Sequence, residues 1–290
     1  MKILRRKNKV ISRRSFIKTS TFTAASAALL GGSNLAFGKN TLKTIGVQLY
    51  TVRNEMQKDF DGTLKTVAAL GYKEFEFAGY NNRSPKDVRS LIDGLGVTAP
   101  SAHFPMADFA KDTGKIIDTA KILGHSIVVL PFLMPNERKT LDDYKKLTAI
   151  LNKSGEACKK AGIQMAYHNH DFEFKELEGK LPMDVILAET DKNLVKIEMD
   201  LGWISYAGKD PVEYFKKHPG RVVNVHVKDM DAKTKQITVE IGKGNVDFRR
   251  IFAAAKTGGV KHFFVEQDNT SIGALESLKV SMAALKKLEY

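Results

Sequence analysis

The chain reads as an α/β protein whose strands close into a (β/α)8 TIM barrel, and three observations point there. From residue 44 onward, eight short β-branched or aromatic runs alternate with amphipathic helical patterns, over about the 250 residues typical of that architecture. No Gly/Ser/Pro-rich linker divides the pattern, so residues 39–290 are expected to form one domain. The first strand runs into Tyr50-Thr51-Val52-Arg53-Asn54, where an open doubly wound sheet usually has a glycine-rich phosphate turn.

Strands are expected at 44–50, 72–77, 97–103, 126–131, 163–170, 194–200, 222–228 and 262–267. The helices between them have recognisable ends. Ser84-Pro85 supplies an N-cap and a proline at the first helical position, Gly94 and Gly96 end that helix, and Asp210-Pro211 opens another. Gly71, Gly124 and Gly162 stand just past helices and lead straight into strands. The single cysteine, Cys158, lies in a helical pattern and is expected to be a buried small apolar residue, since one thiol makes neither an internal disulfide nor a thiolate zinc site.

Residues 1–38 read separately. They carry eight Lys and Arg and no Asp or Glu, so removing them lowers the formal charge of the 290-residue chain from +13 to +5. The basic excess is therefore mostly N-terminal and gives no reason to expect a nucleic-acid partner for the body. Ser12-Arg13-Arg14-Ser15-Phe16-Ile17-Lys18 follows the twin-arginine export consensus, with a weakly apolar stretch and Ala36-Phe37-Gly38 behind it. A periplasmic or otherwise exported protein is expected, cleaved near Gly38. The stretch is too short and too rich in Ser and Thr for a membrane span, and no lipobox cysteine follows it, so no membrane attachment is expected after cleavage.

Strand phase locates the chemistry. Side chains of a barrel strand alternate between the interior and the helix layer. In the fifth strand Ile163, Met165 and Tyr167 oppose Gln164, Ala166, His168 and His170; in the sixth Val195, Ile197 and Met199 oppose Lys196, Glu198 and Asp200. In the seventh Val223, Val225 and Val227 oppose Val222, Asn224, His226 and Lys228; in the eighth Phe263 and Val265 oppose His262, Phe264, Glu266 and Asp268. The first sets Val47 against Gln48 and Tyr50, the second Phe75 and Phe77 against Glu74 and Glu76. The helix layer is the main core and takes the apolar set, so the polar set faces inward. Its last members, His168, Asp200, His226 and Glu266, then meet at the C-terminal rim, a mixed N/O ligand set for one divalent ion such as Mn, Co, Zn or Mg.

With these motifs the chain resembles the xylose-isomerase-like barrel superfamily, which includes sugar isomerases and epimerases, inosose dehydratases and an apurinic endonuclease branch. The resemblance covers 44 to about 288. It implies a Glu, Asp, His and Glu from strands five to eight; Asp200 in Met199-Asp200-Leu201-Gly202-Trp203, His226 in Val225-His226-Val227-Lys228-Asp229 and Glu266 in Val265-Glu266-Gln267-Asp268 match the last three. Strand five departs: the usual Glu-Asn-His becomes His168-Asn169-His170, so the first ligand is His168 or a displaced carboxylate, Glu173. Trp203 stands where many relatives have a further histidine, which speaks against a multi-zinc nuclease, as do export and the seven histidines in all.

Within that frame the expected activity is isomerisation or epimerisation of a keto-sugar, cyclitol or related carbohydrate by proton transfer next to a carbonyl. The alternatives are a lyase or dehydratase acting on a 3-keto-sugar or inosose through the same enolate, and a non-catalytic sugar-binding barrel. Glu266 is expected to be ligand and base, with His170 or Glu173 as the partner acid/base. Lys228 reaches an anionic oxygen or is a solvated rim lysine; His103 touches substrate or is a structural histidine. Gln48, Tyr50 and Glu76 are candidate partners of sugar hydroxyls, while Glu198 and Lys196 are expected in structural pairs deeper in the barrel. Gly242-Lys243-Gly244 is read as a loop bend rather than a phosphate cradle. The oligomeric state is left open, an oligomer included.

Overall fold

The computed structural model describes residues 40–231, 233 and 238–290, so the signal-type segment 1–38 lies outside the described residues. Eight strands close into an all-parallel barrel: β1 (Gly46–Gln48), β2 (Glu74–Phe77), β3 (Thr98–His103), β4 (Ile127–Leu130), β5 (Gln164–His168), β6 (Val195–Asp200), β7 (Val222–Val227) and β10 (His262–Val265). The ring runs β1-β10-β7-β6-β5-β4-β3-β2, with helices in the connections. Between β7 and β10, β8 (Asp229–Met230) and β9 (Thr238–Val239) form a small antiparallel ribbon.

Local chemistry sets the boundaries. The β4 sequence Ile-Val-Val-Leu is buried along its whole length, as expected of a parallel strand covered on both faces. Ser84 caps the helix Pro85–Gly94 by accepting from the Asp87 amide, and Asp210 caps Pro211–Lys217 by accepting from Val212. Gly124 closes the helix Met106–Leu123 in the left-handed region at φ 79°, a conformation with little cost only for glycine, and turns the chain into β4. Cys158 is buried in the helix Leu141–Lys160.

Two apolar groups follow the strand phase. The larger, between sheet and helices, takes Val47, Phe75, Phe77, Val128, Leu130, Met165, Tyr167, Ile197, Met199, Val225, Val227 and Val265. A small one, Ile127, Val129, Ala166 and Val223, forms the lower interior layer. Here β7 corrects the expected phase. Its register against β6 slips between Ile197↔Val222 and Glu198↔Asn224, so Val222 joins the outer core and Val223 the inner layer. A bulge sets two residues against one, and above it Asn224 and His226 keep their expected side. Over the apolar floor the barrel is filled by polar side chains, which is where the chemistry lies.

Candidate metal centre

His168 ends β5, Asp200 ends β6, and His226 lies near the end of β7, while Glu266 follows the last residue of β10. The barrel closure brings all four together, each buried, with one donor atom apiece within 4.8 Å of the others. His226 Nδ1 is 2.8 Å from Glu266 Oε2 and 3.9 Å from Asp200 Oδ2, and His168 Nε2 is 3.9 Å from the same Asp200 oxygen. Asp200 also caps the following helix, its Oδ1 accepting from the Trp203 amide at 2.8 Å, which fixes Oδ2 toward the cluster. Asn169 holds the backbone beside it by accepting from the Asp200 amide.

The site residues fit a divalent cation. Two imidazoles and two carboxylates without a thiolate suit a hard or borderline ion. The neighbouring Lys228 ammonium lies 2.9 Å from Asp200 Oδ2, 2.8 Å from Glu266 Oε2 and 3.1 Å from Asp268 Oδ2, so these oxygens are already arranged to share positive charge. Asp200 Oδ2 is buried without an aligned hydrogen bond among the described residues, the state of a ligand oxygen that a cation would satisfy, while the likewise unaligned His168 Nδ1 faces Glu198.

The electrostatics follow from burial. Burial pushes the Asp200 carboxyl up to about 6, against the pull of Lys228 and His226. For Glu266 the same burial is outweighed by Lys228 and His226, which hold it well below the usual carboxylate range. Burial would lower the His226 imidazole, but the carboxylates of Glu198, Glu266 and Glu76 outweigh it and hold it well above its ordinary value. For His170 burial and the Lys228 charge outweigh the Glu266 carboxylate and push it down to about 3, so it is neutral. Its ring is fixed by stacking on Phe172, with centroids 5.4 Å apart.

Beneath the rim lies a layer centred on Glu198, which the sequence placed in a structural pair rather than in the site. Glu198 Oε1 is 2.7 Å from His103 Nε2, 3.0 Å from His226 Nε2 and 3.3 Å from His168 Nδ1. Glu76 Oε2 is 2.6 Å from His226 Nε2 and accepts from the Gln48 amide at 2.8 Å. His103, His168, Glu198 and His226 thus form a second donor group, sharing two imidazoles with the first. Glu198 stands two residues before Asp200 on the same strand face, a signal the alternation offered. Lys196 does not join it; its ammonium reaches the Gly220 carbonyl.

Three expected site residues lie outside the donor groups and the pocket lining. Glu173 is fully buried away from the donor cluster, its carboxylate held by the Tyr167 hydroxyl at 2.5 Å and the His170 amide at 2.8 Å. Tyr167 belongs to the outward set, and burial raises the carboxyl bonded to it to about 7. Gln48 and Glu76 are also fully buried and bonded to each other, below the pocket rather than in its lining.

The cluster opens into a cavity of about 710 Å³ lined by the expected His103, Tyr50, His168, His170 and Glu266. Trp203, Phe132, Arg53 and Asp268 also stand in its walls, none of them assigned to substrate from the sequence. The Gly242-Lys243-Gly244 turn is a bend already filled: Asp229 accepts from the Gly242, Gly244 and Val246 amides at 2.8, 2.9 and 3.2 Å. Among the described residues no helix is long and apolar enough to cross a membrane.

Comparison with known proteins places this geometry. Residues 64–288 match a family model described as xylose isomerase-like TIM barrel. An inosose dehydratase of Clostridium perfringens (strain 13 / Type A) is 26% identical over 263 residues, 76% of this chain and 86% of that protein. One of Mesomycoplasma hyopneumoniae (strain J) is 27% identical over 273 residues, 79% of this chain and 88% of that protein. Among solved structures, a sugar phosphate isomerase/epimerase of Parabacteroides distasonis superposes with TM-score 0.72 at 28% identity, over 87% of this chain and 94% of its own.

Proposed function

The chain belongs to the xylose isomerase-like TIM barrel family, a metal-dependent group of sugar isomerase, epimerase and dehydratase barrels, and on that premise we propose a lyase that removes water or another β-substituent from a keto-cyclitol or keto-sugar. The observation that carries the chemistry is the convergence of His168, Asp200, His226 and Glu266 on one donor group, two members of which, His168 and Glu266, line the cavity. The inosose dehydratases among the relatives favour elimination over the isomerisation expected from the sequence.

His168, Asp200, His226 and Glu266 would hold the divalent ion, which would supply Lewis acidity for the proton transfer next to the carbonyl. The Glu266 carboxylate faces the pocket and takes the proton from the carbon next to the carbonyl. Lys228, kept cationic by three carboxylates, stabilises the negative charge that then develops on oxygen. As the C–O bond to the β-substituent breaks, the hydroxyl leaves as water with the proton returned to it. His170 is neutral and fixed in the wall, so it accepts a hydrogen bond from a substrate hydroxyl. The ring of Trp203 offers a face on which a sugar or cyclitol stacks.

Isomerisation or epimerisation is the second reading, favoured by the name of the Parabacteroides structure. It shares the first proton transfer and differs in returning the proton to carbon. Metal analysis of the purified protein and NMR in D2O with inosose and 3-keto-glucose separate the two. Elimination yields a dehydrated product; isomerisation yields deuterium at carbon without loss of water. Full activity in Asp200→Ala and His226→Ala, or in metal-free protein, would sink both. Export by the twin-arginine route is part of the proposal and rests on Ser12-Arg13-Arg14-Ser15-Phe16-Ile17-Lys18. It favours free or glycosidically linked oxidised sugars, since sugar phosphates are chiefly cytoplasmic.

A further inference from the structure

Three imidazoles converge on a single buried carboxylate oxygen. Glu198 Oε1 lies between His103 Nε2, His226 Nε2 and His168 Nδ1 at 2.7, 3.0 and 3.3 Å. Two of those rings are rim donors, and each turns its other nitrogen toward the rim. His226 directs Nδ1 to Glu266 and Asp200, and His168 directs Nε2 to Asp200. An imidazole that ligates a cation through one nitrogen must carry its proton on the other. The acceptor beneath therefore decides which nitrogen faces up.

We propose that Glu198 is a positioning residue for the rim metal site, a shared floor acceptor that fixes the tautomers of His168 and His226 so that both present lone pairs to one ion. The inference rests on the metal-dependent reading above. Glu76 shares the task for His226, its Oε2 taking the aligned hydrogen bond of His226 Nε2 at 2.6 Å, while Glu198 Oε1 faces both that nitrogen and His168 Nδ1, to which no contact joins Glu76 among the described residues. Glu198 is itself held rigidly: its other oxygen accepts from Asn224 Nδ2 at 3.0 Å, and Asn224 is braced by Ser101. The bulge in β7 between Val222 and Asn224 gives that brace its register. The carboxylate is completely buried and absent from the pocket lining, so it acts through the histidines and not on substrate. This also assigns strand five's departure from its family's pattern a structural counterpart. A histidine in place of a carboxylate ligand needs a proton acceptor behind it, and Glu198 stands there.

The same residues could form a ligand set in their own right, His103, His168, Glu198 and His226, and the test separates the two arrangements. Binding of Mn²⁺ and Co²⁺ to full-length protein is measured by calorimetry, with the visible absorption of the Co²⁺ form as a report on ligand geometry. Glu198→Gln is expected to weaken binding 10- to 100-fold and to change the Co²⁺ spectrum, with one ion still bound per chain. Asp200→Ala is expected to abolish tight binding, and His103→Asn to leave it within a few-fold. Asn224→Ala, a milder way to loosen Glu198, is expected to weaken binding by a smaller factor even if Glu198→Gln fails to fold. Unchanged affinity and spectrum in both Glu198→Gln and Asn224→Ala overturn the positioning role and leave the rim site intact. Loss of binding in His103→Asn with none in Asp200→Ala overturns it differently, by making Glu198 a ligand. Wild-type protein that binds neither ion removes the metal-dependent reading and this inference together.

Discussion

Lys228 shows how a single side chain reports on its surroundings. A lysine just past the end of a β-strand is ordinarily solvated, yet this one is 1% exposed, with its ammonium against Asp200, Glu266 and Asp268. Removing one partner of a buried charge cluster leaves the others uncompensated, so Lys228→Met is expected to cost about 3–5 kcal/mol in a urea melt. Added Mn²⁺ should restore part of that loss in the variant, because it neutralises two of the same carboxylates. A variant as stable as wild type, or one indifferent to Mn²⁺, would contradict the charge sharing. The residue was visible in the sequence two places beyond His226, but whether it faced solvent or substrate was not. That depended on carboxylates contributed by two other strands.

At the scale of an element, the end of the helix Met106–Leu123 carries a built-in sensitivity to acid. His125 follows Gly124, with Nδ1 donating to the Ala99 carbonyl at 2.6 Å and Nε2 accepting from the Tyr80 hydroxyl at 3.0 Å. Burial pushes its imidazole down to about 4, so it folds neutral. Below the ordinary histidine value of about 6.5 the unfolded chain binds a proton that the folded chain refuses. Stability therefore rises with pH between about 4 and 6.5 and is lost on acidification through that window, by on the order of 3 kcal/mol from this group. Thermal melts from pH 4.5 to 7 should show that slope, and His125→Gln should flatten it; equal slopes would remove the assignment. The element boundaries themselves were legible, because caps such as Ser84 and Asp210 and the glycine at 124 act within a few residues. The β7 bulge was not, because a register slip is decided by the neighbouring strand.

On the scale of the whole molecule, the barrel turns alternation along separate strands into one site, and the proposed export of the chain has a test of its own. Export by the twin-arginine route predicts that changing Arg13 and Arg14 together to Lys keeps the full-length precursor in the cytoplasm. Fractionation with an antibody against the body reads this directly; unchanged distribution would remove the export proposal without touching the barrel chemistry.

The barrel class and the rim positions of Asp200, His226 and Glu266 follow from the sequence by itself, because strand alternation, caps and the need to bury apolar faces are local rules, while the first ligand stayed open between His168 and Glu173. Tertiary structure alone decided what lies behind that set. Glu173 is bonded to Tyr167 on the outward side of β5, which no spacing reveals. Gln48 and Glu76 are sunk below the pocket, and Glu198 gathers His103, His168 and His226 from three other strands. The face a side chain takes is fixed along its own strand, but its depth and its partners depend on the stagger between strands, which only the closed barrel defines.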